Sequence, residues 1–82
     1  DDLPTMNIAT LSVDAGSGVA GKSISEMQLR NRTGATLLAI KRGTEIIEHP
    51  TAHTVLKAND IVYVLGNPEQ NNLVFDLFSG EE

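Results

Sequence analysis

The pattern of apolar and polar positions predicts four β-strands. Residues 8–13 alternate, with apolar side chains at the odd-numbered positions, which would share one face of a strand. The run at 35–40 is apolar everywhere except at Thr36, which predicts a central strand covered on both faces. Residues 45–48 and the strongly apolar residues 61–65 complete the set.

Two turn patterns separate the later strands. Gly43 within 41–44 is free to take a positive φ, which predicts a tight turn between the second and third strands. Asn59 tolerates a left-handed conformation and predicts a turn before the fourth strand.

Helices are predicted at two places. Ser23, with Glu26 three positions later, is typical of a capping box and predicts a short helix that ends between Arg30 and Gly34. The segment 67–70, Asn-Pro-Glu-Gln, is typical of a helix start. Apolar residues at helical spacing then predict that one face of this last helix packs on the sheet, as far as Gly80: Leu73, Val74, Leu77 and Phe78.

The predicted element order is therefore β-α-β-β-β-α, a small α/β (α+β) domain whose sheet is packed by helices. Eighty-two residues accommodate one domain, which would bury only about 60% of its unfolded surface. There are no cysteines, so disulfides are excluded and self-association is the remaining support. We therefore expect a dimer.

Net charge restricts the classes of partner. The chain carries 11 acidic and six basic residues, a net charge of −5, which argues against nucleic acid and anionic lipid. Four of the six bases nevertheless fall between positions 30 and 42: Arg30, Arg32, Lys41 and Arg42. This cluster is interpreted either as a patch for a small anionic ligand or as ordinary solvated side chains around a turn.

No catalytic or metal-binding set is recognisable. No nucleophile and base can be paired in a known arrangement, so we predict that the chain is not an enzyme. His49 and His53 are four apart, but Pro50 disfavours a helix through His49, and two loop histidines are the simpler interpretation.

No apolar run approaches the ~20 residues that span a bilayer. The first methionine is Met6, so we expect residues 1–82 to be a domain taken from a longer protein, with a core at about 8–78.

Three segments resemble the TrkA-C, or RCK-C, domain of bacterial potassium-transport regulators. Residues 21–30, GKSISEMQLR, are similar to its "G-K-(S/T)-(L/I)-x-E-L-x-L-R" segment, and residues 34–43, GATLLAIKRG, to its strand and hairpin. Pro50 and residues 54–66 are similar to its "P…T-x-L…G-D-x-L-x-V-x-G" ending. The resemblance extends from residue 8 to about 78.

This resemblance implies a dimerising cytoplasmic domain. Members are attached to, or assembled with, potassium channels, potassium uptake systems or cation/proton antiporters. Several members bind cyclic di-AMP between the two subunits, in a pocket made by the short helix and the following strand. The resemblance thus implies cyclic di-AMP, or another small anionic ligand, as the molecule that is sensed.

The family's pocket transfers to this sequence at most positions. The matching residues are an apolar side chain that opens the helix, an arginine and a pair of aliphatics: Ile24, Arg30, Leu37 and Leu38. Arg32 would assist from the following turn, and Thr36 stands where the family has an asparagine. Ser25 and Gln28 also depart from the family's pattern.

The sequence therefore predicts a regulatory, ligand-sensing dimerisation domain of a potassium or other monovalent-cation transport protein, on the inner face of the membrane. The expected partners are a second copy, the membrane transport domain and a small anion, but no nucleic acid. The alternative is a purely structural dimerisation module without a ligand.

Overall fold

The computed structural model describes residues 6–79 of the 82-residue chain. The elements follow the predicted order, except that the first helix is divided in two. They are β1 (Asn7–Ser12), α1 (Ile24–Met27), α2 (Leu29–Thr33), β2 (Thr36–Arg42), β3 (Glu45–Ile47), β4 (Ile61–Gly66) and α3 (Pro68–Ser79).

The four strands form one antiparallel sheet in the order β1-β4-β2-β3. Strand β4 therefore pairs with both β1 and β2, and β1 and β3 are the edge strands. Along β4 the side chains alternate, with Val62 and Val64 fully buried and Tyr63 partly exposed. One face of the sheet is thus covered by the helices, whereas the other is partly open.

The prediction that β2 is covered on both faces is wrong. The strand is interior to the sheet, but only Ile40 of its residues is buried, and Leu38 is 36% exposed. The register shifts between Leu37 and Ala39 in their pairing with β4, which makes Leu38 the additional residue of a β-bulge. Among the described residues, the helices pack on the face that holds Ile40, which leaves Leu38 partly exposed.

Helix α3 closes the core. Asn67 accepts a hydrogen bond from the Gln70 amide at 2.7 Å, and Gln70 accepts one from the Asn67 amide at 2.9 Å, which confirms the predicted start of the helix. Val74 and Phe78 are buried against the sheet, but Leu73 is 50% exposed, so its predicted burial is wrong. Adjacent helical positions are ~100° apart, which turns Leu73 away from the face that holds Val74. The predicted end at Gly80 lies outside the described residues.

One buried ion pair joins β2 to the start of β4. Arg42 donates from Nε to Asp60 Oδ1 at 2.9 Å and from a terminal nitrogen to Asp60 Oδ2 at 2.7 Å, while Asp60 is only 1% exposed. Burial raises the pKa of Asp60, but the hydrogen bonds from Arg42 and from the Lys57 amide more than offset it and leave the pKa below its usual value. Arg42 also donates to the Val55 carbonyl at 2.8 Å, so the pair holds the loop before β4.

Within the described part of the chain, no helix is both long enough and apolar enough to cross a membrane.

Candidate ligand-binding site

A surface cavity of about 390 Å³ lies between the two short helices and the beginning of β2. It is the cavity that receives most of the residues predicted for ligand binding. Its lining is Ile24, Ser25, Gln28, Leu29, Arg30, Asn31, Thr36, Leu37 and Pro50.

The wall at Ile24 and Ser25 is fixed by backbone hydrogen bonds to a neighbouring loop. The Ile24 amide donates to the Thr54 carbonyl at 2.9 Å, and the Ser25 amide donates to the Ala52 carbonyl at 3.0 Å. Ser23 caps α1 in a capping box with Glu26, as predicted, with distances of 3.1 and 2.8 Å between the paired atoms. The first turn of α1 therefore has a defined position at the edge of the cavity.

Gln28 separates the two helices because its backbone is left-handed, with φ 53° and ψ 46°. Its amide reaches the carbonyls of Ile24 and Ser25, which ends α1, and α2 begins at the next residue. A single helix through this region, as predicted from sequence, is therefore wrong. The break lets Gln28, Arg30 and Asn31 all line the same cavity.

The strand side of the cavity is formed by Thr36 and Leu37, the first two residues of β2. The β-bulge then turns Leu38 out of the cavity lining. Gly34, which connects α2 to this strand, has φ 84°, and a Cβ there would lie 2.7 Å from Gln70 Nε2. The backbone angle therefore favours glycine, and a side chain there would also displace the end of the Gln70 side chain.

The electrostatics of the cavity are set by one side chain. Arg30 is the single cation in the lining, and no aspartate or glutamate belongs to it, although the chain has 11 acidic residues. The remaining polar groups are neutral: the hydroxyls of Ser25 and Thr36 and the carboxamides of Gln28 and Asn31. Such a lining suits a compact anion that also carries hydrogen-bonding groups.

The structure brings together four of the six predicted ligand-binding residues, namely Ile24, Arg30, Thr36 and Leu37. Arg32 does not line the cavity, because residues two apart on a helix point to nearly opposite sides. Leu38 does not line it either, because the β-bulge turns this residue out of the cavity lining.

Sequence reasoning missed Leu29, Asn31 and Pro50 as lining residues, and it named Ser25 and Gln28 only as departures from the family's pattern. Pro50 belongs to a family-like segment, which was the available signal, whereas nothing in the pattern distinguished Asn31 from a solvated helix residue.

The four clustered bases do not form one patch. Arg42 is engaged by Asp60, and Lys41 is exposed in β2 opposite Ile61 and Ile46, away from the cavity lining. Only Arg30 of the four contributes to the cavity. Among residues 6–79, no three His, Cys, Asp or Glu side chains are grouped closely enough to hold a metal ion.

Comparison with known proteins gives a family match over nearly the whole chain. The profile of the TrkA-C domain matches residues 8–79. Potassium channel protein 1 of Methanocaldococcus jannaschii is 41% identical over 49 residues, which are 60% of this chain and 15% of that protein. Ktr system potassium uptake protein C of Bacillus subtilis is 35% identical over 57 residues, 70% of this chain and 26% of that protein. The chain therefore spans about a quarter or less of these curated relatives.

Solved structures share the fold. The RCK_C domain dimer of S. agalactiae BusR, in complex with c-di-AMP, has a TM-score of 0.83 and 25% identity, and the match covers 92% of this chain and 93% of that one. The RCK C domain of the potassium transport protein KtrA, also in complex with c-di-AMP, has a TM-score of 0.74 and 33% identity over 82% of this chain and 76% of that one. The small α+β fold class predicted from the sequence is confirmed.

A third structure corrects the predicted list of partners. BusR of S. agalactiae has also been solved in complex with its busAB-promoter DNA, with a TM-score of 0.82 and 26% identity over 89% of this chain. The exclusion of nucleic acid is therefore wrong. It rested on the net charge of 82 residues, but the match covers only 36% of that BusR chain, so the charge of one domain does not limit what a whole protein binds.

Proposed function

The chain belongs to the TrkA-C domain family, and on that premise we propose that it is the ligand-sensing, dimerising regulatory domain of a potassium or other monovalent-cation transport protein. The domain would lie at the cytoplasmic face of the membrane, attached to or assembled with the transporting part. A bound ligand would favour one arrangement of the two copies and so bias the linked membrane part.

The observation that carries the proposal is the charge of the cavity beside β2. In a chain of net charge −5, the cavity collects one arginine, four neutral hydrogen-bonding side chains and no acid. A cyclic dinucleotide fits this chemistry, since its phosphates pair with a guanidinium and its bases with hydroxyls, carboxamides and aliphatic carbons. Two structural neighbours that share the fold were solved with c-di-AMP.

Exposed apolar side chains support the dimer. Leu38 is 36% exposed directly after the cavity residue Leu37, and Ile46 on the adjacent edge strand is 56% exposed. A second copy that covers this surface would also enclose the cavity. We expect a dimer at micromolar concentration, and sedimentation that shows only monomer in that range would contradict it.

Calorimetric titration with cyclic di-AMP tests the site. Arg30→Ala should weaken binding roughly ten- to a hundredfold, because a charge-assisted hydrogen bond contributes about 1.5–3 kcal/mol. Arg32→Ala is the matched control and should change the affinity much less, because Arg32 is outside the cavity lining. Thr36→Asn should tighten binding, since a carboxamide has a donor and an acceptor on separate atoms that can pair with two groups of a base, whereas the hydroxyl has a single oxygen.

The outcomes separate the site from the alternative. If Arg30→Ala leaves the affinity for cyclic di-AMP unchanged, the ligand binds elsewhere on the domain. If the wild type binds neither cyclic di-AMP nor related nucleotides but still dimerises, the domain is a structural dimerisation module.

A second context for the whole protein is favoured by the BusR structures with promoter DNA. In that case the same sensing domain would belong to a promoter-binding regulator. The sequence flanking this domain decides, because a transporter adds membrane-spanning segments or a transport subunit whereas a promoter-binding protein adds a DNA-binding element.

A further inference from the structure

A second cavity, of about 410 Å³, lies at the end of β1, beside the last turns of α3. Its lining combines buried apolar residues with polar side chains and one exposed aromatic ring. These residues are Thr10, Leu11, Ser12, Val13, Asp14, Asn59, Phe75, Phe78 and Ser79. None of them belongs to the cavity beside β2, so a ligand here does not depend on the proposed function.

The charge of this second cavity is negative. Asp14 is its single charged residue, and no lysine, arginine or histidine lines it. Among residues 6–79 the one ion pair joins Arg42 to Asp60, so no cation of the described chain forms an ion pair with Asp14. Helix α3 also ends here, at Ser79, with no basic residue in its last turn, and a helix C-terminus carries partial negative charge.

The apolar lining of the cavity includes a phenylalanine side chain that is unusually exposed to solvent. Phe75 is 57% exposed although Phe78, one turn away, is buried in the core. The buried Leu11 and Val13 also line this cavity. An exposed phenyl ring that lines the same cavity as a carboxylate favours an organic cation, because the ring's electrons and the carboxylate both attract positive charge while the ring also accepts alkyl groups.

We propose that this cavity binds an alkylammonium or guanidinium group, with the charged head paired to Asp14 and the alkyl part packed on Phe75. Asn59 also lines the cavity, with a backbone φ of 74°, and its carboxamide oxygen would be an acceptor for the same head. The group has two possible sources, namely a free small amine or the side chain of a lysine or arginine in another protein segment. The cavity takes the same chemistry from either source.

The first test is a titration of the isotope-labelled 82-residue chain with n-butylammonium chloride, followed by the backbone amide shifts of Asp14 and Asn59. We expect saturable binding in the millimolar range that weakens at high salt. The neutral analogue 1-butanol is the matched probe and should bind much more weakly. Equal binding of 1-butanol, or no shift in the millimolar range, would overturn the proposal.

Variants locate the site. Asp14→Asn removes the charge and keeps the shape, and should weaken butylammonium binding about fivefold. Phe75→Ala should weaken it about threefold through loss of the cation–π contact. Asp76→Asn is the matched control, because Asp76 is an exposed acid of α3 outside the cavity lining, and it should change the affinity less than twofold. If Asp76→Asn weakens binding as much as Asp14→Asn, the attraction is a diffuse surface field and the site is refuted.

The source is separated by two further probes, spermidine and a blocked lysine or arginine peptide. Tighter binding of the peptide than of butylammonium identifies a protein side chain as the occupant. Tighter binding of spermidine identifies a free amine. Failure of all three probes to move the Asp14 amide refutes the site.

Discussion

The two cavities are similar in size and opposite in charge. The cavity beside β2 has Arg30 and no acid, whereas the cavity beside α3 has Asp14 and no base. Each also contains one residue with a left-handed backbone, Gln28 in the first and Asn59 in the second. The comparison shows that a chain with a single net charge presents two different local fields, set by which few side chains each cavity collects.

The left-handed backbone angles in the two cavities differ in conformational energy. Asparagine adopts left-handed angles readily, since its short polar side chain bonds locally, whereas glutamine does so less easily. The cavity beside β2 therefore carries backbone strain that the cavity beside α3 avoids. Strain of this kind is characteristic of binding sites, where the surrounding structure maintains it.

The largest expected effect on both cavities comes from breaking the ion pair of Arg42 and Asp60. Arg42→Met should lower the free energy of unfolding by about 3 kcal/mol, because it leaves the buried Asp60 carboxylate without its cation. Asn59 adjoins Asp60, and the Val55 carbonyl held by Arg42 belongs to the loop that pairs with Ser23 at the start of α1. Urea denaturation measures the change.

Arg32→Met is the matched control, since Arg32 is exposed and makes no hydrogen bond through its side chain to another described residue. The double variant Arg42→Met/Asp60→Leu should recover part of the loss, because no buried charge then remains. A cost for Arg42→Met no larger than that for Arg32→Met would show that the pair does not hold the loop.

In the wild type, acid should remove the stability that the ion pair of Arg42 and Asp60 contributes. The pKa of Asp60 is lower in the folded state than in the unfolded chain. The unfolded chain therefore binds the proton first, and the stabilisation is complete above about pH 4 and is lost as the pH falls through the lower, folded-state pKa. Thermal denaturation between neutral pH and acid should show this loss. The double variant should show a shallower decline, and an identical decline would assign the acid sensitivity to other carboxylates.

The smallest expected effect on stability comes from replacing each of the two left-handed residues, Gln28 and Asn59, with glycine. Gln28→Gly should raise the free energy of unfolding by about 0.5 kcal/mol, because glycine removes the left-handed penalty but gains entropy in the unfolded chain. Asn59→Gly is the matched substitution in the other cavity and should change stability less, since asparagine already tolerates φ 74°. Equal effects on the melting temperature would show that the two backbones are equally strained.

Local features of the fold were predictable because they depend on neighbouring residues. The capping box at Ser23 and the start of α3 at Asn67 each involve groups three positions apart. The pair of Arg42 and Asp60 was not predictable, since its partners are 18 residues apart and meet only in the folded chain. The break at Gln28 was missed because a capping pattern identifies where a helix starts but not where its backbone turns left-handed.

The cavity beside β2 was predictable in part, through family resemblance. Ile24, Arg30, Thr36 and Leu37 face one another, whereas Arg32 and Leu38 do not line the cavity because of helix geometry and the bulge. The apolar run at 35–40 led to a wrong prediction for Leu38. A run of apolar residues is the same whether a strand is buried by its own chain or awaits a partner.

The position of β4 in the sheet has a consequence for how the domain folds. Strand β1 is synthesised early and α3 late. Strand β4, which lies between β1 and β2 in the sheet, is the last of the described strands to be synthesised. Asn7 pairs with Gly66, 59 positions later, so at ~5–20 residues per second several seconds pass between synthesis of β1 and of β4, its neighbour among the described strands. Until β4 inserts, β1 has no strand to pair with and the hairpin of β2 and β3 stands alone. Completing the sheet therefore requires a long-range closure, which the contact-order relation associates with slower folding than local pairing.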